Sequence, residues 1–335
     1  MRVLFAGSPA IAVPSLQILN EMELGEKGIV LAGVLTNPDS MRGRHGQKEP
    51  TDVSVAASEL DAVRKEKGLD PIPQLKPEKL DAGARAEAVA LKADLLVSFA
   101  YGRFFGPRFM ALFPLGGINI HPSLLPKYRG ASPIPALILS GEKETGICVQ
   151  RLAQQMDSGD ILATDRFELC GRETTSSLSG TVSHRAASLL RELLPDFNAR
   201  AASARPQEGE ATCCGEIKKE AGIIDWNKSA VFIDAQIRAF TPWPLAFTRR
   251  DNDTLFILEA EPLKEAADPS AVLYETVSGG AAPGTVLGAD KDRGILIQTG
   301  RGILAATKLQ WQAKKALNWK AFCNGARNFA GSRLG

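Results

Sequence analysis

A short apolar run carries two polar side chains with complementary chemistry. Asn119 and His121 lie within residues 117–121, separated by one residue. If this run is a strand, side-chain alternation directs both to one face, and Pro122 ends the strand directly after the histidine. An amide donates hydrogen bonds without changing its charge, and an imidazole can donate or accept a proton near neutral pH. The pair could stabilise negative charge, whereas either residue alone is more typical of a cap or a core position.

A carboxylate in a later turn is the third candidate. Asp157 lies in the segment Met-Asp-Ser-Gly-Asp at residues 156–160. An aspartate among small residues usually forms a turn. Beside His121, the same carboxylate would favour the charged imidazolium and could accept a proton through water. Spacing along the chain leaves both interpretations open.

The elements around these residues must position them. Apolar runs alternate with helical stretches up to about residue 150, which is typical of a parallel sheet covered on both faces. We therefore expect a doubly wound, Rossmann-like α/β domain, whose ligands bind beyond the carboxyl ends of the strands. The predicted elements are strands at 3–6, 29–35, 95–100 and 117–121 and a helix at 14–24.

The second half of the chain has a different pattern. Residues 201–211 are rich in Ala, Ser, Pro, Gln, Gly and Glu, which is typical of an exposed connection. After Cys213, short apolar runs alternate with turn residues, which predicts a small, OB-like β-barrel. The predicted division is an α/β catalytic domain at 1–200, a linker at 201–212 and a C-terminal barrel at 213–335.

Charge is balanced overall but not near the C-terminus. The 335 residues include 40 Lys and Arg and 38 Asp and Glu, which excludes a polybasic protein of the histone type but not a local basic patch. From Gly294 onward the chain has no acidic residue, and Trp311 and Trp319 lie among its basic residues. Such a segment is typical of a nucleic-acid surface, and a solvated tail with buried tryptophans explains it about equally well.

Composition excludes several other classes of protein. Hydrophobic residues make up 44% and charged residues 23% of the chain, as in ordinary globular proteins. No apolar stretch approaches the roughly 20 residues that span a bilayer. The five cysteines form no CxxC pair and there are only three histidines, so we expect neither a disulfide framework nor a metal site. These features favour a reduced, cytoplasmic location without membrane association.

Residues 119–134, which read NIHPSLLPKYRGASPI, resemble the signature of folate-dependent formyltransferases. In that family an Asn, a His and an Asp form the catalytic set, and the match assigns these roles to Asn119, His121 and Asp157. The resemblance implies formyl transfer from 10-formyltetrahydrofolate, without a metal. The loop that borders the folate site in the family corresponds to Ser123, Leu124, Leu125 and Pro126.

Motifs outside this signature resemble one branch of the family, whose members formylate methionyl-tRNA. The opening FAGSP at 5–9, the pair KKE at 218–220 and IDW at 224–226, and IRAFTPWP at 237–244 are all similar to motifs of that branch. Thr241 stands where that branch usually has Asn. The resemblance therefore implies that the acceptor is the α-amino group of initiator methionyl-tRNA.

The resemblance also implies where tRNA would bind. Basic residues of the C-terminal region would contact phosphates, and the loop at 37–50 would reach the acceptor end, with Arg44 as its closest match. A connection without a role is the alternative for this loop. Because one chain would carry both donor and acceptor surfaces, we expect a monomer. The predicted tRNA-binding residues are Arg42, Arg44, Lys218, Lys219, Arg238, Lys314 and Lys315.

Other functions stay open at this point. One is folate-dependent formyl transfer to a small amine, such as an amino sugar or glycinamide ribonucleotide. Another is a non-catalytic RNA-binding protein on an α/β scaffold, which would bind tRNA without turnover. A nicotinamide dehydrogenase is least favoured, because the first turn at residues 6–10, Ala-Gly-Ser-Pro-Ala, lacks the Gly-x-Gly-x-x-Gly pattern.

Overall fold

The computed structural model describes residues 1–25, 28–41, 46–263 and 280–335, which divide into two compact units. The first unit comprises residues 1–133, 144–168 and 178–215, and the second comprises 134–143, 169–177 and 216–335. The strands of the first unit are β1 (Arg2–Ala6), β2 (Val30–Leu35), β3 (Ser40–Met41), β4 (Lys48–Glu49), β5 (Gln74–Leu75), β6 (Leu95–Ser98), β7 (Gly117–His121), β8 (Arg129–Gly130), β9 (Glu144–Arg151), β10 (Ile161–Glu168) and β11 (Cys213–Cys214).

The main sheet of the first unit has the order β10-β9-β7-β6-β1-β2-β5. Strands β7, β6, β1, β2 and β5 are parallel, and β9 is antiparallel to both β7 and β10. The central strands are buried along their length, since residues 3–6 of β1 and 95–97 of β6 are 0% exposed. Continuous apolar strands of this kind are typical of a sheet covered on both faces. The carboxyl ends of β1, β6 and β7 therefore share one edge.

The helices agree with the apolar spacing of the sequence. The predicted helix at 14–24 corresponds to the first of them, and its buried residues include Leu16 and Leu19. The described residues contain α1 (Val13–Leu24), α2 (Asp52–Glu66), α3 (Ala82–Ala90), α4 (Pro107–Met110), α5 (Pro133–Leu139), α6 (Thr175–Leu193), α7 (Phe197–Ala202), α8 (Ala230–Ala239) and α9 (Trp319–Gly325).

The second unit contains an antiparallel sheet of six strands. Their path is β12-β13-β16-β15-β14, with β17 also paired to β16. The path ends at β12 and β14, so the described residues show a β-rich domain, while closure into a barrel stays a prediction. The strands are β12 (Ala246–Arg250), β13 (Asp253–Pro262), β14 (Val286–Asp290), β15 (Gly294–Gln298), β16 (Ile303–Trp311) and β17 (Leu317–Asn318).

The tryptophans of the basic C-terminal segment pack against the core of this unit. The Trp311 ring stacks on Phe322 with centroids 5.6 Å apart, and Trp319 packs against the same cluster. Their role is therefore largely structural, whereas several of the lysines around them are exposed.

The segment predicted as a linker, residues 201–212, belongs to the first unit instead. Its backbone is hydrogen-bonded there: Ile161 N donates to Arg205 O at 2.8 Å, and Arg129 N donates to Thr212 O at 2.8 Å. A polar segment can satisfy its backbone hydrogen bonds against a domain as well as in water.

The predicted fold class is confirmed as an α/β domain followed by a β-rich C-terminal domain. No helix within the described ranges is long and apolar enough to cross a bilayer.

Candidate active site

Strand β7 presents Asn119 and His121 on one face near its carboxyl end. In the antiparallel register with β9, Asn119 lies opposite Gln150 and His121 lies opposite Cys148. Asn119 is half-buried, and His121 is 3% exposed. The site therefore combines one group that solvent or a ligand can reach with one that is enclosed.

Asp157 meets both residues of β7. Its Oδ1 accepts hydrogen bonds from Asn119 Nδ2 at 3.3 Å and from Gln150 Nε2 at 2.8 Å. Its Oδ2 accepts one from the backbone N–H of Gly130 at 2.8 Å and lies 3.5 Å from His121 Nδ1. Donors on several sides stabilise the negative charge of a carboxylate that is 11% exposed. The structure thus brings the three sequence-predicted residues together.

Two glycines allow the backbone to approach this carboxylate closely. Gly130 has φ +116°, and a Cβ there would lie 2.1 Å from Cys214 O on the paired strand β11. A Cβ on Gly159, two residues after Asp157, would lie 1.9 Å from Arg151 O. Any side chain at either position would displace the turn or the strand that holds Asp157.

Burial lowers the pKa of His121, and this effect exceeds the opposing influence of the Asp157 charge and of the Tyr128 carbonyl. The Nε2 atom lies 2.8 Å from Tyr128 O, so this nitrogen carries a hydrogen. This direction runs against the sequence-based expectation that the Asp157 carboxylate favours the charged imidazole. The carboxylate is in place, but desolvation of the ring outweighs its attraction.

The thiols beside the site are kept protonated. Burial raises the pKa of the Cys148 thiol, and it also raises that of Cys214, whose Sγ lies 3.4 Å from Tyr128 O. Because the thiolate is the nucleophilic form, neither cysteine is suited to attack a substrate.

The predicted folate loop follows His121 directly and is held close to the domain. Ser123 is fully buried, and its hydroxyl donates to Lys127 O at 2.6 Å. Leu125 and Pro126 are also buried, whereas Leu124 is half-buried. Of the four predicted side chains, Leu124 is thus the one most available to a ligand.

Two glutamines of the site were missed by the sequence analysis. Gln150 is 1% exposed and binds the Asp157 carboxylate. Gln207, within the predicted linker, donates to the backbone carbonyls of Asp157 and Gly159, each at 2.9 Å. A polar residue at the end of the apolar run 147–149 could have indicated Gln150, but no local signal indicated Gln207.

The predicted tRNA-binding residues that the structure describes differ in exposure. Arg42 and Arg44 lie outside the described residues. Lys218, Lys219, Lys314 and Lys315 are exposed in the segments around the second unit's sheet. Arg238 differs from them, because its side chain is 15% exposed and its Nε donates to Asp234 Oδ2 at 2.9 Å.

In the part of the chain that the structure describes, no group of three or more His, Cys, Asp or Glu side chains could hold a metal ion.

Comparisons with known proteins show the family to which the chain belongs. Residues 1–194 match the family described as formyl transferase, and residues 216–327 match its C-terminal domain. A protein of Treponema denticola named methionyl-tRNA formyltransferase is 47% identical over 330 residues, which cover 98% of each chain.

Solved structures show the same fold. An N-formyltransferase from Helicobacter canadensis, in complex with folinic acid and dTDP-3-aminofucose, superposes with a TM-score of 0.61 at 17% identity, covering 91% of this chain and 98% of that one. A methionyl-tRNA formyltransferase from Clostridium thermocellum superposes with a TM-score of 0.52 at 16% identity, covering 79% and 95%. Since the sequence match spans both domains and nearly the full length of the Treponema relative, the chain belongs to the formyl transferase family, within its methionyl-tRNA formyltransferase group.

Proposed function

We propose that the chain transfers the formyl group of 10-formyltetrahydrofolate to the α-amino group of initiator methionyl-tRNA. The observation that carries the proposal is the cluster in which Asp157 accepts a hydrogen bond from Asn119 and faces His121. The full-length similarity to a protein named methionyl-tRNA formyltransferase supports the choice of acceptor.

The reaction needs hydrogen-bond donors for a developing oxyanion. The amine attacks the formyl carbon and forms a tetrahedral intermediate whose oxygen becomes negative. The Asn119 amide has two N–H groups, and only one is needed for its bond to Asp157. His121 supplies the second donor from Nδ1, since Nε2 faces Tyr128 O. An oxyanion beside the ring would raise the pKa of His121, so the ring takes up a proton from solvent water as the negative charge develops and releases it when the intermediate collapses.

Asp157 acts as the general base for the attacking amine. The amine loses a proton to the Asp157 carboxylate through a water molecule. Collapse of the intermediate breaks the bond between the formyl carbon and N10 of the folate, and N10 takes up the proton that Asp157 received, through the same water. The protonated thiols of Cys148 and Cys214 support direct transfer without a covalent enzyme intermediate.

The two substrates enter from different sides of the same sheet edge. The folate ring lies against the loop Ser123 to Pro126, which continues from β7. The acceptor end of tRNA enters near β1 and β2, where a cleft of about 480 Å³ is lined by Ser8, Asn37, Thr51 and Arg103, among others. Residues 37–40 of that loop form part of the cleft, and its hydroxyl, amide and Asp39 carboxylate groups suit the hydroxyls of a ribose.

The second unit holds the tRNA by charge. Its exposed lysines, Lys314 and Lys315 among them, contact phosphates and contribute affinity without choosing a sequence. Arg238 supports α8 through Asp234 and is the weakest of the proposed contacts. The enzyme acts as a monomer in the cytoplasm.

An acceptor assay tests the proposal. With 10-formyltetrahydrofolate as donor, we expect rapid formylation of charged initiator tRNA and much slower formylation of elongator methionyl-tRNA. A dTDP-amino sugar and glycinamide ribonucleotide serve as competing acceptors. Transfer to either of these but not to methionyl-tRNA would favour the small-amine enzyme, and tRNA binding without turnover would favour an RNA-binding protein.

A further inference from the structure

One side chain from the segment before β11 is directed into the catalytic site. Gln207 Nε2 lies 2.9 Å from Asp157 O, 2.9 Å from Gly159 O and 3.2 Å from Gln150 Oε1. Its Oε1 accepts hydrogen bonds from Arg129 Nε at 3.1 Å and Nη2 at 2.7 Å. The oxygen and the nitrogen of the Gln207 amide therefore both have hydrogen-bond partners. If the amide were rotated by 180°, its oxygen would face three other oxygens and its NH₂ would face the arginine donors, so only one orientation is favourable.

The backbone contacts of Gln207 restrain the turn that carries the catalytic carboxylate. Asp157 has φ +52°, a left-handed conformation that surrounding structure must hold in place. Gln207 binds the carbonyl oxygens of Asp157 and Gly159, which flank Ser158. These two bonds anchor the peptide units that follow the carboxylate-bearing residue and so limit its rotation.

A second path from Gln207 reaches the carboxylate through Gln150. The Gln150 side chain donates from Nε2 to Asp157 Oδ1 at 2.8 Å, while its Oε1 faces the Gln207 NH₂. The NH₂ group of Gln207 therefore favours the orientation in which Gln150 directs its own NH₂ group to the Asp157 carboxylate. If the Gln150 amide were rotated by 180°, its oxygen would face Asp157 Oδ1. Two oxygens would then lie against each other in a buried site, where an unsatisfied acceptor is costly.

Arg129, which holds the Gln207 side chain, is also next to a residue that binds the second oxygen of the Asp157 carboxylate. Arg129, which binds Gln207 Oε1, directly precedes Gly130, whose N–H donates to Asp157 Oδ2. Both carboxylate oxygens are thus supported by elements that meet at Gln207. The separation of 3.5 Å between Asp157 Oδ2 and His121 Nδ1 leaves little tolerance for displacement.

We propose that Gln207 is a positioning residue for formyl transfer, which holds the Asp157 carboxylate in the direction that faces His121. The inference rests on the proposed function, because Asp157 is the group through which Gln207 acts.

A pair of complementary substitutions at adjacent positions tests the proposal. Gln207→Glu keeps the size of the side chain and the acceptor for Arg129 but removes the donor to the other three oxygens. Glu208→Gln is the matched control, since Glu208 is exposed and the change in charge is of equal size. We expect kcat of Gln207→Glu to fall roughly 10- to 100-fold, because small misplacements of a reacting group cost about that much. The KM values for donor and tRNA, and the thermal midpoint, should stay near those of the unaltered protein.

A second background separates positioning from a general structural role. In Asp157→Asn, adding Gln207→Glu should reduce kcat by less than about twofold more, because the carboxylate that Gln207 positions is already absent. Gln207→Met adds no charge and should lower kcat by a similar factor to Gln207→Glu. It replaces Gln207→Glu in every comparison if the Glu variant does not fold.

Three results would overturn the proposal: kcat within about twofold of the unaltered protein in both Gln207 variants, the same fold-loss with and without the Asp157 carboxylate, or an equal loss in Glu208→Gln. Failure of the proposed function would be seen separately, as inactivity of the unaltered protein toward methionyl-tRNA. The Gln207 comparison would then be made with whichever small amine is formylated.

Discussion

The catalytic cluster of the first unit and the basic surface of the second use polar residues in opposite ways. Around Asp157, buried or half-buried groups each bind named partners at 2.8 to 3.3 Å. Around β16 and β17, lysines such as Lys314 and Lys315 are exposed. A buried carboxylate network is strong but fails when one member is lost, whereas exposed charges act additively and are screened by salt.

This difference predicts how each region responds to substitution. Single changes in the cluster should reduce turnover steeply with little effect on tRNA affinity. Changes on the basic surface should weaken tRNA binding gradually with little effect on the chemical step.

The largest effect is expected from Asp157→Asn. The amide keeps the size of the side chain but cannot take the amine's proton, so turnover should fall by ~10²–10⁴-fold. Single-turnover kinetics with charged initiator tRNA measure the loss, and circular dichroism checks that the protein is folded. Turnover within a few-fold of the unaltered protein, in a folded variant, would remove Asp157 from the mechanism.

The parts of this cluster differ in how far the sequence predicts them. Strand β7 is predicted to the residue, since apolar alternation and Pro122 mark it locally, and the resemblance supplies the role of Asp157. Gln150 and Gln207 are not predicted, because one depends on the antiparallel pairing of β9 with β7 and the other on the return of a polar segment. Neither arrangement leaves a periodic pattern in the chain.

The burial of His121 is the part of the site that the sequence did not predict. A neighbouring carboxylate can be inferred from a motif, but the burial that opposes it depends on packing from several elements. The packing of residues 201–212 likewise depends on other elements, since these polar residues are hydrogen-bonded to the first unit. Local composition therefore predicted the elements better than their environment.

The second largest effect concerns the loop at 37–50. An arginine fork can bind a phosphate or a guanine edge with two hydrogen bonds, worth about 1–3 kcal/mol of discrimination, and lysine cannot reproduce this geometry. Arg44→Leu should therefore lower kcat/KM for tRNA strongly and Arg44→Lys less so, with donor affinity unchanged in both. Turnover measured against tRNA concentration tests this. Normal efficiency in Arg44→Leu would show that the loop is only a connection.

A smaller, salt-dependent effect is expected on the basic surface. Replacing Lys314 and Lys315 by alanine should weaken tRNA binding and flatten its log–log salt dependence by roughly one unit per lost phosphate contact. Folate binding and the single-turnover rate at saturating tRNA should not change. The matched control replaces Lys65 and Lys67, two exposed lysines at the end of α2. An unchanged slope in the first variant would mean that these lysines only face solvent.

The smallest effect is on stability rather than on activity, and it tests the burial of His121 directly. Its pKa is lowered in the folded protein, so the unfolded chain binds the proton more readily. The contribution of His121 to the free energy of unfolding is therefore complete above the pKa of the unfolded chain, about 6.5, and is lost as the pH falls below that value. Denaturation midpoints between pH 7 and 5 should decline more in the unaltered protein than in His121→Gln. His184→Gln, which changes an exposed histidine, should keep the full decline. A midpoint that rises toward pH 5 in the unaltered protein but not in His121→Gln would show that the Asp157 carboxylate, rather than burial, controls the ring before any substrate binds.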